Sequence, residues 1–297
     1  MDIKLIRDKF AEHFGAAGEL YTSPGRINLI GEHTDYNGGF VFPGAIDKAM
    51  VAEIKPNGTD KIRAYAVDLN DYAEFGLNEE DKPAASWACY IFGVAREIQK
   101  RGFKVEGFDT AFAGDVPLGA GMSSSAALES TFAFALNHIY NEDKIEKFEL
   151  ARIGQSTEHN YCGVKCGIMD QFASAMGKAN HAIHLDCATL DYEHIPLNMA
   201  GCKLVLTNTN VKHSLGSSKY NERRGECEQG FNALKTVLPG ITCLADVTEA
   251  DFEEHSDVIK DETVKRRIHH VVYECARVLK SAQALKAGDM EAFGEFM

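Results

Sequence analysis

A chain of 297 residues is long for one small domain and suits two, so a ligand site between domains is the first expectation. With 45% hydrophobic and 25% charged residues and a mean hydropathy of -0.23, it can build a sizeable core and lacks the composition of a disordered chain. The net charge of -13, the pI near 5.3 and the lack of any long Lys/Arg block exclude a face that tracks nucleic-acid phosphates, although an acidic protein can still hold a nucleotide in a locally positive pocket.

Met1-Asp2-Ile3-Lys4 opens a polar stretch without the apolar run of a signal peptide. No segment reaches the ~20 apolar residues that cross a bilayer, so a cytoplasmic protein with no membrane partner is expected. Ile3, Ile6, Phe10 and Phe14 share one stripe, which predicts a helix over 3–14. Glycine and proline punctuate 22–44, which reads as irregular backbone. Segments 50–54 and 62–67 read as strands, and Pro56-Asn57-Gly58 between them predicts an antiparallel hairpin. Trp87, Tyr90, Ile91, Val94 and Ile98 return to helical spacing, ended by Gly102.

Next come a strand over 108–113, a loop over 114–125 and a helix over 126–140 with Leu128, Phe132, Ala135, Leu136 and Ile139 on its apolar face. Helices over 148–162 and after Met169, strands over 182–185 and 202–207, and helices over 218–234 and 264–286 complete the reading. This mixed order argues for an α+β protein rather than a doubly wound parallel sheet. The eight cysteines (Cys89, Cys162, Cys166, Cys187, Cys202, Cys227, Cys243 and Cys275) are scattered and read as reduced, buried thiols. Cys162 and Cys166 have no second Cys/His pair nearby to complete a tetrahedral zinc set.

Three segments carry chemistry. In Val116-Pro117-Leu118-Gly119-Ala120-Gly121-Met122-Ser123-Ser124-Ser125-Ala126-Ala127-Leu128, two glycines allow close backbone approach and the serines sit where a helix begins, with its amides unpaired. A phosphate cradle fits, and so does an ordinary N-capped helix after a tight turn. The spacing matches neither a Walker A loop nor a Rossmann fingerprint. Pro24-Gly25-Arg26-Ile27-Asn28-Leu29-Ile30-Gly31-Glu32-His33-Thr34-Asp35-Tyr36-Asn37-Gly38-Gly39 gathers Arg, Glu, His and Asp between glycines, and such groups can converge on several hydroxyls of a sugar. A solvated polar loop is the alternative. In the third, Glu158-His159-Asn160-Tyr161-Cys162-Gly163-Val164-Lys165-Cys166-Gly167-Ile168-Met169-Asp170-Gln171-Phe172 flanks a bend with two carboxylates, one of which could serve a metal and the other a substrate hydroxyl. Asp170 as a helix cap and Glu158 as an exposed helix charge fit equally well.

Together the three segments resemble the galactokinases, of the superfamily that includes homoserine, mevalonate and phosphomevalonate kinases. Residues 24–39 look like the galactokinase signature, 117–128 like the superfamily's phosphate-binding loop, and 158–171 like the family's Cys-Gly-x-Met-Asp-Gln region. The order and spacing of these segments extend the resemblance over nearly the whole chain.

The resemblance implies a two-domain α+β kinase fold with its active site in the inter-domain cleft. It implies phosphorylation of galactose at C1 by ATP with Mg2+, carried out by a cytoplasmic monomer. Asp170 would take or orient the C1 hydroxyl proton, with Arg26 beside it keeping the carboxylate ionised and stabilising the transferring phosphoryl group. Glu32, His33 and Asp35 match positions that hold sugar hydroxyls, Gly167 one whose backbone lies against the ring, and Tyr220 one on the C4 side. Asp35 and Tyr220 would then select the axial C4 hydroxyl. Gly119, Gly121, Met122, Ser123, Ser124 and Ser125 match the phosphate loop, Trp87 and Tyr90 aromatics near the adenine, and Ser125 (or its neighbour Ser124) and Glu158 the magnesium positions.

Two further readings stay open: a galactose and ATP sensor without turnover, and a kinase for a related sugar such as N-acetylgalactosamine. The chain departs from the family pattern in one respect. After Gly230 only the isolated Gly240, Gly288 and Gly294 remain, so the third glycine-rich motif is missing. That implies an N-terminal domain over 1–198 and an incomplete C-terminal domain over 199–297.

Overall fold

The computed structural model describes residues 2–117, 119–199, 201–208 and 218–297. Asp2 accepts from the Leu5 amide and starts helix α1 (Ile3–Phe14), whose Ile6 and Phe10 are fully buried. Strand β1 (Glu19–Asn28) follows, then β2 (Phe40–Val41), β3 (Pro43–Pro56), β4 (Lys61–Ala66) and β5 (Asp71–Gly76). Helix α2 (Ala88–Lys100) leads to β6 (Phe108–Gly114), α3 (Ser124–Asn141), α4 (Lys147–Thr157), a π-helical turn (Glu158–Cys162) and α5 (Met169–Met176). Next come β7 (His181–Asp186) and β8 (Tyr192–Pro196), and then α6 (Ser218–Lys235), α7 (Glu249–His255), α8 (Glu262–Lys286) and α9 (Met290–Phe296). This is the mixed α+β architecture expected from the sequence.

One sheet has the strand order β1-β3-β6-β4-β5, and a smaller one runs β2-β7-β8. Side-chain alternation gives the large sheet two apolar faces. Met50, Ala52, Ile54, Phe108 and Phe112 face α2 and α3, whereas Val51, Ala111 and Ala113 face Ile6 and Phe10 of α1. A separate core joins α6 to α8 through Cys227, Leu234, Ile268, Val271 and Val272. Farther along, Val278, Ala282 and Leu285 of α8 pack with Leu29, Ile30, Phe42 and Ile195. The C-terminal helices therefore rest on the same turn that follows β1.

Three expectations need correction. The strands over 50–54 and 62–67 exist but do not form a hairpin, because β6 lies between them, antiparallel to β3 and parallel to β4. The turn closes on Gly107 instead: Asn57 N–H donates to its carbonyl at 3.1 Å, and Gly107 N–H donates to Thr59 at 2.9 Å. The region 22–44 is not irregular throughout, since β1 runs to Asn28 with a register shift between Pro24 and Arg26. Its place at the sheet edge is what tolerates Pro24. The strand expected over 202–207 does not form. No described strand pairs with it, Val205 is 84% exposed, and apolar alternation without a ladder partner does not hold an extended segment. Among the described residues, no helix is long and apolar enough to cross a membrane.

Candidate active site

The bulge in β1 brings Gly25 and Arg26 against the serine loop. A Cβ on Gly25 would stand 2.8 Å from the Met122 carbonyl oxygen, and the Arg26 amide donates to that oxygen at 3.1 Å. Only glycine fits this approach. All three nitrogens of the Arg26 side chain then donate. Nη1 donates to the Gly121 carbonyl at 2.6 Å, while Nε and Nη2 donate to Asp170 Oδ1 at 2.8 and 2.6 Å. Burial works against the Arg26 charge, but Asp170 more than offsets it and holds the guanidinium above its ordinary value. Ser123, with a left-handed φ of 54°, donates to the other oxygen, Asp170 Oδ2, at 2.6 Å. Ser174 Oγ donates to the Pro24 carbonyl at 2.8 Å and ties α5 to β1.

This geometry decides between readings left open by the sequence. Ser123 spends its hydroxyl on Asp170 and makes no side-chain cap for α3. Asp170 lies within the first turn of α5, and its carboxylate serves Arg26 and Ser123. Glu158 is no surface charge: it is 6% exposed, and burial pushes its carboxyl up to about 7 against the opposing hydrogen bond from Ser125.

Arg26, Ser125 and Asp170 stand on the wall between two cavities. One, of about 650 Å³, is lined by Trp87, Tyr90, Gly119, Gly121, Met122 and the three serines. Trp87 is fixed there by donating from Nε1 to Asp71 at 2.8 Å. Of the loop, Leu118 lies outside the described residues. The other, of about 580 Å³, is lined by Glu32, His33, Asp35, Glu158 and Tyr220 and closed by Arg223 and Arg267 from α6 and α8.

Gly167 does not line this second cavity. It backs Asp35 so closely that a Cβ would fall 2.0 Å from Asp35 Oδ2. Burial, helped by Asp170 and Glu32, pushes Asp35 up to about 7. Burial and the nearby Asp35 raise the Tyr220 hydroxyl as well, so it is a protonated donor at neutral pH.

Sequence reading missed the residues that hold this site from outside the motifs. Glu274 of α8 is buried and accepts from the amides of Gly31 and Glu32 at 2.8 and 3.2 Å, and His270 donates to the Glu32 carbonyl at 2.7 Å. Glu129, one turn past Ser125, is fully buried and accepts from Gln171 at 3.0 Å, which links α3 to α5. A signal existed for Glu274: it lies on the apolar stripe of Val271, Cys275 and Val278, where a carboxylate needs a buried partner.

Known proteins share this sequence and fold. Residues 8–56 match the galactokinase galactose-binding signature, and residues 89–178 match the N-terminal domain of GHMP kinases. The chain is 42% identical over 300 residues to the galactokinase of Clostridium acetobutylicum, covering 99% of itself and 77% of that protein. It is 41% identical over 301 residues to the galactokinase of Bacillus subtilis, covering 98% and 76% respectively. Among solved structures it is similar to Lactococcus lactis galactokinase complexed with galactose, with a TM-score of 0.89 and 36% identity over 98% of this chain and 76% of that one.

Proposed function

The chain belongs to the galactokinase family, and we infer that it transfers the γ-phosphoryl group of ATP to the C1 hydroxyl of galactose, giving galactose 1-phosphate and ADP. The observation that carries this reading is the Arg26–Asp170 pair, held by Ser123, on the wall shared by two cavities, one lined by aromatics and a glycine-serine loop and the other by carboxylates. We place galactose in the cavity between residues 1–198 and 199–297, and ATP in the other. The kinase relatives do not favour a sensor without turnover or a kinase for another sugar.

In this reading Asp170 orients the C1 hydroxyl and receives its proton as the oxygen bonds to the γ-phosphorus. The bond from phosphorus to the ADP oxygen breaks, and ADP carries that electron pair away. Arg26 holds the carboxylate in place and puts positive charge beside the transferring group, the kind of preorganised electrostatics on which a loose phosphoryl transfer depends. Trp87 and Tyr90 flank the base, and Gly119, Gly121, Met122, Ser123 and Ser124 surround the phosphates. Asp35 and Tyr220 supply an acceptor and a donor for the C4 side, and an epimer with a misplaced hydroxyl would leave these buried groups unpaired. Glu32 and His33 serve further hydroxyls.

Ser125 and Glu158 suit Mg2+: both are hard oxygen donors, and the buried Glu158 carboxylate has Ser125 as its hydrogen-bond donor, with the charge of Asp170 working against it. Among the described residues no group of three His, Cys, Asp or Glu side chains could hold a metal, so nucleotide oxygens and water would fill the remaining positions. When bound, the ion neutralises phosphate charge.

Purified protein should release one ADP per galactose consumed in Mg2+-ATP, with chelation stopping turnover and added Mg2+ restoring it. Folded protein that binds both ligands and releases no galactose-dependent ADP would refute the reading. A pH effect follows from Asp35, which must be ionised to accept from two hydroxyls. Because burial and the charges of Asp170 and Glu32 hold it at about 7, galactose binding releases a proton and weakens as pH falls. Calorimetry without nucleotide should show Kd rising below about 7, approaching tenfold per pH unit. Asp35→Asn should bind weakly with that dependence gone.

A further inference from the structure

His33 meets Tyr36 on one side and the cavity on the other. Its Nδ1 lies 2.8 Å from the Tyr36 hydroxyl, the two rings sit edge-on at 5.8 Å, and its backbone has a left-handed φ of 63°. Asn37 donates to the His33 carbonyl at 2.8 Å and fixes that conformation. Nε2 has no hydrogen-bond partner among the described residues, and the ring lines the cavity of about 580 Å³. The Tyr220 ring packs against both, with centroids 5.7 Å from His33 and 5.4 Å from Tyr36.

The Tyr36 hydroxyl has a second neighbour. The positive Arg223 guanidinium, from α6, acts on it through its charge, and Arg223 Nε is buried without a partner among the described residues. A buried donor nitrogen left unpaired is costly and needs an explanation. A guanidinium is positive and can only donate, so Arg223 attracts the oxygen end of the phenol and turns the phenol proton away. Two acceptors compete for that proton: the Cys227 sulfur, a weak acceptor, and His33 Nδ1 at 2.8 Å. The imidazole nitrogen wins, and Nδ1 therefore carries no proton. Burial together with Arg223, His270 and Arg267 drives the ring down to about 4, so it is neutral and its single proton sits on Nε2.

We propose that Tyr36 and Arg223 are positioning residues that fix His33 as an Nε2–H donor to one galactose hydroxyl. The pair places a donor beside the carboxylate acceptors Glu32 and Asp35, so that one hydroxyl is bound both as acceptor and as donor. This rests on the reading that the cavity holds galactose. It also has a chemical corollary: at the position His33 serves, fluorine, which accepts but cannot donate, is a better replacement for hydroxyl than hydrogen.

The tautomer can be read directly in unliganded protein by 15N NMR of labelled histidines, with His33→Gln assigning the signals. The expected spectrum has His33 protonated at Nε2 and bare at Nδ1, and Tyr36→Phe mixes the two forms. Tyr36→Phe and Arg223→Met should each raise KM for galactose about 10-fold, the equivalent of one lost hydrogen bond, with kcat nearly unchanged. Among monodeoxy and monofluoro galactoses, one position should tolerate fluorine and not hydrogen, and Tyr36→Phe should erase that preference. A wild-type His33 protonated at Nδ1, or Tyr36→Phe leaving both tautomer and KM unchanged, would overturn the proposal. The spectrum tests it even if the variants do not fold. Absence of galactose turnover by the wild type would instead count against the function assigned above.

Discussion

Asp170→Asn should lower kcat for galactose by about 10³-fold while both ligands still bind, the loss expected when a positioned proton acceptor is removed from a transfer step. The geometry argues for this separation of binding from turnover. Asp170 Oδ1 takes two bonds from Arg26 and Oδ2 one from Ser123, and an asparagine can reproduce all three contacts, since its oxygen can face Arg26 and its amide the Ser123 oxygen. The fold therefore survives, and what disappears is the acceptor and the negative charge beside the C1 hydroxyl. Single-turnover kinetics with calorimetric Kd values for galactose and ATP provide the check. An Asp170→Asn enzyme with near wild-type kcat would mean that the carboxylate is only a strut for Arg26.

Gly167→Ala is the second large effect, and it should fall on the sugar. A Cβ at this position would lie 2.0, 2.1 and 2.6 Å from Asp35 Oδ2, Cγ and Cβ, so the whole Asp35 side chain must move and not merely its tip. The turn that carries Asp35 has little freedom to follow, because Thr34 donates its hydroxyl to Gly31 and Phe40 carbonyls and Glu274 pins the Gly31 and Glu32 amides. A displacement of about 1 Å in a positioning residue costs on the order of 100-fold, and here it should appear in KM for galactose while affinity for ATP stays put. Gly225→Ala is the control: α6 has open space at Gly225, and the change should leave KM alone while adding about 0.5–1 kcal/mol of helix stability. Steady-state KM and thermal melts on both variants separate the two cases.

Much of the site could be read from the sequence, because its chemistry is concentrated in short runs. The glycines, the triple serine and the Arg, Glu, His and Asp cluster are local patterns, and helices such as α1 and α3 declared themselves through apolar spacing. What escaped was non-local. No pattern in 50–67 says that β6, forty residues later, will separate the two strands. Pro24 and Gly25 read as loop residues, yet an edge strand with a bulge accepts both and needs the glycine for the approach of Met122. Polar residues of the C-terminal helices were the least visible. Arg223 looks like an ordinary surface charge along α6, and the place of Glu274 on the apolar stripe of α8 asks for a buried partner without saying that the partner is the Gly31 amide.

The account depends on the C1 oxygen of galactose meeting the carboxylate that Arg26 holds. A crystal structure with galactose and a non-hydrolysable ATP analogue tests this most directly. The C1 oxygen should lie within hydrogen-bonding distance of Asp170 Oδ2, on the line to a γ-phosphorus cradled by Ser123, Ser124 and Ser125. A sugar bound with C1 toward Arg223 and Arg267, away from Asp170, would contradict it.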